Sequence, residues 1–222
     1  MGNRIELTAA DGHKFSAYRA EPAGKPRGAV IVLMEIFGVN SHIRSVADGY
    51  ASDGYVAIAP AMFDRAQRDL EIGYTPDDIA HGVGLMKQIK LDDSLKDIGA
   101  VMANVASAGK IGILGYCWGG TAAWKAACNL DGLACAAPYY GGGIPGLAGE
   151  QPKCPVMFHW GDTDHSIPLD AARAVEAAHK AQAHYFYPAG HGFNCDQRGS
   201  FNADSAKLAR SRTLEFLRKH VG

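Results

Sequence analysis

The residues best suited to chemistry are gathered in Gly115-Tyr116-Cys117-Trp118-Gly119-Gly120. An apolar run at 111–115 precedes this segment and an alanine-rich stretch follows. This is the strand, sharp turn and helix expected of a nucleophile elbow, with cysteine in place of serine. The flanking glycines let neighbouring backbone pass close to the turn. At such a turn the thiol meets the amino end of the next helix, whose unpaired N–H groups and dipole favour a thiolate over a thiol of ordinary pKa about 8.5.

A thiolate nucleophile needs a base and an acid that orients it, in the chain order nucleophile, acid, histidine. Pro188-Ala189-Gly190-His191-Gly192-Phe193 follows the apolar run 184–187, so His191 fits the base. Gly161-Asp162-Thr163-Asp164-His165 follows the run 156–160 and supplies two carboxylates where a strand ends. Asp164 is the choice for the acid; Asp162 competes for it, and otherwise caps the turn. His159, inside a strand, and His165, beside Asp164, read as core or rim residues. An acyl intermediate also needs an oxyanion hole, which the backbone N–H groups of Trp118 and Ile36 would supply. Glu35 ends an apolar strand, where burying a charge demands a partner; it either finds one, with Arg44 available, or turns to solvent.

These residues need a frame to hold them. Apolar runs at 29–34, 55–58, 111–115, 133–140, 156–160 and 184–187 read as buried strands, separated by helical stretches at 43–52, 76–89, 95–106, 119–129, 169–181 and 203–219. Strands of this kind alternating with helices imply a mostly parallel sheet covered on both faces. The alternating runs 5–8 and 14–18, around Asp11-Gly12, read as an edge hairpin, giving about eight strands. Ser41 is available to cap the first helix. Ala206, Ala209, Thr213 and Phe216 or Leu217 mark the buried face of the last. The segment 61–75 is the least regular connection and could form one wall of a site.

Composition narrows the function. The 222 residues suit one α/β domain, 1–222, and the charge sum of 22 basic and 23 acidic residues, a net −1, contains no like-charged block. Nucleic acid and membrane are therefore not expected partners. The N-terminus lacks the layout of a signal peptide, so a cytoplasmic protein is expected. Five scattered cysteines form no CxxC pair, and the nucleotide-binding glycine patterns and HExxH are absent, so no metal or cofactor is expected.

Taken together, MEIFGVN at 34–40, APAMFDR at 59–65, GYCWGG at 115–120, GDTDHSIP at 161–168 and AGHGF at 189–193 resemble the dienelactone hydrolase family of α/β-hydrolases. The resemblance runs from about Ala29 to Leu217. It implies a Cys117, His191, Asp164 triad, favouring Asp164 over Asp162, and gives Glu35 the role of a carboxylate that contacts the cysteine. It also implies two arginines that hold a substrate carboxylate. Arg65 matches the first, with Arg68 as substitute; the second position holds Cys195, and Arg198 lies three residues further on. The expected function is hydrolysis of a small-molecule lactone or activated ester through a thioester, by a monomer or homodimer. Tyr116, Trp118, Phe37, Phe63 and Tyr139 are candidates to line the pocket. The alternatives are a general esterase or thioesterase on the same triad, a non-catalytic binding module, and a redox sensor pairing Cys117 with Cys195.

Overall fold

Near-continuous apolar runs leave a strand nowhere to go but the interior of a covered sheet, and the three neighbouring strands at its centre show this here. In the computed structural model, which describes residues 2–222, β3 (Ala29–Leu33), β4 (Val56–Pro60) and β5 (Ile111–Tyr116) are buried at every position. The remaining strands are β1 (Asn3–Thr8), β2 (Lys14–Ala20), β6 (Leu133–Tyr139), β7 (Met157–Gly161) and β8 (Ala183–Tyr187). They complete an eight-stranded sheet of order β1-β2-β4-β3-β5-β6-β7-β8. The expected hairpin is present: β1 pairs antiparallel with β2, which pairs antiparallel with β4, and every other neighbour is parallel.

The helices are α1 (Ser41–Ser52), α2 (Pro76–Met86), α3 (Leu91–Val105), α4 (Trp118–Asn129), α5 (Leu169–Ala178) and α6 (Ala203–His220). None is long and apolar enough to cross a membrane among the described residues. The cap of α1 is Asn40 rather than Ser41: its side chain accepts from the Ile43 N–H, while Ser41 bonds Gln197. Thr75 and Asp78 form a reciprocal capping box ahead of Pro76 and start α2. That helix ends at Met86, short of the expected Ile89, because the chain turns through 87–90 to begin α3. On α6 the buried face is Ser205, Ala209, Thr213 and Leu217, so Ser205 stands where Ala206 was expected.

Strand order decides where a site can form. From β3 the chain moves to β4 on one side, and from β5 to β6 on the other, so the order reverses between β3 and β5. A crevice opens beyond the carboxyl ends of strands at such a reversal. Glu35 and Ile36 leave β3 there, and Cys117 leaves β5. The irregular segment 61–75 is held beside them through buried Asp64, whose carboxylate accepts from the Ser16 N–H at 2.8 Å, the Ser16 hydroxyl at 3.0 Å and the Asp69 N–H at 3.0 Å. Its Phe63 ring packs edge-on against Trp118 at 5.0 Å. Removing the carboxylate in Asp64→Ala strands buried donors, and a loss of about 2–3 kcal/mol is expected in urea unfolding; an unchanged midpoint would contradict this anchoring role.

Candidate active site

The turn at Cys117 is possible only because Gly115 and Gly119, two residues to either side, have no side chains. A Cβ on Gly115 would meet the Gly119 carbonyl, and one on Gly119 would meet the carbonyls of Leu33 and Met34. β5, α4 and the end of β3 can therefore close onto one another, and Cys117 is left between strand and helix at φ 55° and ψ −116°. Such backbone costs about 1–3 kcal/mol and persists only where the surroundings impose it. Its N–H is held by the Tyr139 carbonyl at 3.1 Å.

Three side chains from three loops then meet in line. The Cys117 thiol lies 3.1 Å from His191 Nε2, and His191 Nδ1 lies 2.8 Å from Asp164 Oδ2. Asp164 is buried, and its other oxygen accepts from the N–H groups of Ser166 at 2.7 Å and Ile167 at 3.1 Å. Its loop thus fixes the carboxylate and the carboxylate fixes the ring. Asp162 is exposed, so geometry chooses Asp164 between the two candidates. Burial works against a charged His191, but its hydrogen bonds to Asp164 and Cys117 and their negative charges outweigh that and push it up to about 10. This environment favours the charged form of the imidazole. Buried His159 bonds Tyr187 and Thr213 at 2.8 and 3.0 Å, and burial lowers it to about 3; it is the core histidine expected.

A cavity of about 490 Å³ opens at Cys117. Ile36, Phe37, Trp118, His191 and Arg198 border it on the side of the sheet, and Ile79, Val83, Met86 and Leu91 build an aliphatic wall from α2 and the start of α3. Trp118 is the first residue of α4, so its N–H has no helical carbonyl to bond. Of the aromatic residues expected to line the pocket, Phe37 and Trp118 do so. Tyr116, Phe63 and Tyr139 are packed in the core instead.

The charges differ from expectation in three ways. Arg65 grips Asp97 of α3 with two bonds of 2.8 and 2.7 Å and also reaches Asp11 at 3.0 Å. Its fork is spent on a buried carboxylate, so it does not border the cavity. Arg68, bonded to the Lys14 carbonyl and Glu6, does not replace it. Arg198 turns inward: its Nη1 donates to Glu35 Oε1 at 3.0 Å, and its guanidinium sits 5.5 Å from the centre of the Phe37 ring. Of the alternatives left open for Glu35, the structure has it buried and paired, and its partner is Arg198. Arg44 pairs with Glu71, and the Cys117 thiol faces His191 rather than the glutamate. A guanidinium satisfies a buried carboxylate better than a thiol can.

Sequence reasoning gave Arg198 no inward role because it lies beyond the position where an arginine was expected. No local signal in the sequence marked it; in the structure Gly192 adopts φ +79° and a Cβ there would strike the Arg198 side chain, so the glycine makes room for the inward turn. Cys195 is fully buried, and burial pushes its thiol up to about 11, which makes it a poor resolving thiol for Cys117. Among the described residues, the one group of side chains able to hold a metal is His42, Cys195 and Asp196, outside the cavity lining.

The family model described as the dienelactone hydrolase family matches residues 15–221. A provisionally named carboxymethylenebutenolidase of Synechocystis sp. (strain ATCC 27184 / PCC 6803 / Kazusa) is 37% identical over 230 residues, covering 94% of this chain and 93% of that protein. The carboxymethylenebutenolidase of Pseudomonas sp. (strain P51) is 32% identical over 228 residues, covering 97% and 94%. Among solved structures, a provisionally assigned dienelactone hydrolase from Klebsiella pneumoniae is similar with a TM-score of 0.82 at 30% identity, over 96% of this chain and 98% of that one.

The electrostatics of the line can be tested directly. The raised pKa means that the His191 imidazolium persists through neutral pH and loses its proton only near 10. The NMR signal of the His191 ring should therefore stay flat across neutral pH. Asp164→Asn, which removes one of the raising interactions, should bring the midpoint down. A wild-type midpoint near the ordinary value of about 6.5 would contradict this picture.

Proposed function

The chain belongs to the dienelactone hydrolase family of carboxylic ester hydrolases, and on that premise we propose that it opens lactones and activated esters of dienelactone type through a thioester on Cys117. The observation that carries the reading is the hydrogen-bonded line Cys117, His191, Asp164 beside an apolar-walled cavity. The Cys117 thiolate attacks the carbonyl carbon, forming a carbon–sulfur bond as the carbonyl electron pair moves onto oxygen. The N–H groups of Ile36 and Trp118 receive that oxyanion. Collapse breaks the acyl carbon–oxygen bond, and the His191 imidazolium gives its proton to the leaving oxygen. In a lactone this oxygen stays tethered to the acyl group. Neutral His191, held by Asp164, then takes a proton from water as the water attacks the thioester. Expulsion of the thiolate releases the acid and restores the starting pair.

Arg198 borders the cavity together with His191 and is the one arginine among the described lining residues, and we assign it the carboxylate of an acidic substrate. Its planar fork can keep one bond to Glu35 and offer its remaining N–H groups inward. The aliphatic wall favours a second reading, a general esterase for neutral acyl groups on the same three residues. Removing the sulfur in Cys117→Ala should lower kcat/KM at least about a thousandfold on either substrate class; retained activity would overturn the nucleophile. Comparing a carboxylate-bearing dienelactone with a neutral nitrophenyl ester separates the two readings. In Arg198→Gln combined with Glu35→Gln, which leaves no buried carboxylate unpaired, KM for the lactone should rise about ten- to a hundredfold while the ester is affected much less. Equal losses on both would remove Arg198 from substrate recognition, and ester turnover without lactone turnover in the wild type would favour the esterase.

A further inference from the structure

Behind the loop that carries His191, a second group of polar side chains has no part in the hydrolytic chemistry. His42 comes from the first turn of α1, and Cys195 and Asp196 follow His191 in the same loop. His42 and Cys195 are buried, at 4% and 0% exposure. One ligand atom from each of the three residues lies within 4.8 Å of the other two. His42 Nδ1 is 2.9 Å from Asp196 Oδ1, while His42 Nε2 is buried with no hydrogen-bond partner.

His42 Nδ1, the ring nitrogen that faces Asp196, is the one placed to ligate beside that carboxylate. The fully buried Cys195 sulfur lies beside the pair, with Tyr74 as its hydrogen-bond partner. We propose that His42, Cys195 and Asp196 form a binding site for one thiophilic divalent cation, with zinc the best match to the donors.

Nitrogen, thiolate and carboxylate together suit zinc, whose bonds to them are about 2.0–2.3 Å, and do not suit magnesium or calcium, which take oxygen ligands. Donors within 4.8 Å of one another need only small side-chain rotations to close on such an ion. The site has an entrance: His42 and Asp196 line a surface cavity of about 390 Å³, through which an ion enters and from which water can fill the fourth position. On binding, the Cys195 thiol proton passes to solvent and a sulfur–metal bond replaces it. Bound there, the ion would tie the loop of His191 and Arg198 to α1.

The test uses the full chain carrying Cys117→Ser, so that the cavity thiol does not compete. Titration with cobalt(II) should give a sulfur-to-cobalt charge-transfer band in the near ultraviolet that saturates at one equivalent and is displaced by zinc. Zinc should raise Tm. Adding Cys195→Ser or His42→Gln should abolish the band. Asp196→Asn, at a solvent-exposed side chain that folding does not depend on, should weaken cobalt binding about ten- to a hundredfold. Folding of each variant is checked by circular dichroism. A folded parent that shows no band overturns the proposal. So does a band that survives Cys195→Ser, which would place the metal on another cysteine, or an Asp196→Asn protein that binds cobalt as the parent does.

Discussion

Everything at the site depends on the close crossing of three backbone segments at the ends of β3 and β5. Gly115 and Gly119 allow it, because a side chain at either would drive the strand, the helix and the Leu33–Met34 carbonyls apart. The crossing forces Cys117 into the positive-φ region and leaves its sulfur at the amino end of α4, where unpaired N–H groups and the helix dipole favour negative charge. It also brings Ile36 and Trp118 to the same cavity rim. The local backbone strain is offset by the fully buried strands beneath, which cannot relax without losing their packing.

Around this fixed point the buried charges are distributed by pairing. Arg65 is committed to Asp97 and Asp11 and so ties α3 and the edge hairpin to the segment after β4. Arg198 is committed to Glu35 by a single bond, which leaves much of its fork at the cavity. The two arginines thus divide between scaffold and site according to how many of their donors the protein already uses. His191 joins the two systems, since its loop continues through Cys195 and Asp196 to Arg198. Any change in how that loop is held reaches both the base and the guanidinium at the cavity.

The frame was legible because burial leaves a local record. Apolar runs marked the central strands, alternation marked the hairpin, and each of Cys117, Asp164 and His191 stands just after a strand, where an open sheet collects its site. The features that escaped have no local record. Whether Arg65 or Arg198 faces the cavity depends on partners far away in sequence, Asp97 in α3 for one and Glu35 after β3 for the other. Asn40 and Ser41 are equally able caps one residue apart, and only the path of the chain chooses between them. The aliphatic wall from Ile79, Val83, Met86 and Leu91 reads as ordinary amphipathic helix until the placement of α2 shows that part of its apolar side faces a cavity rather than core.

The central claim is that a covalent acyl group forms on Cys117. The most direct measurement is peptide-level mass spectrometry of the wild-type enzyme quenched rapidly with acid while it turns over a saturating dienelactone. Addition of one intact lactone mass to the peptide containing Cys117 is the expected result. Turnover with no adduct on that peptide, or an adduct carried by a different residue, would contradict it.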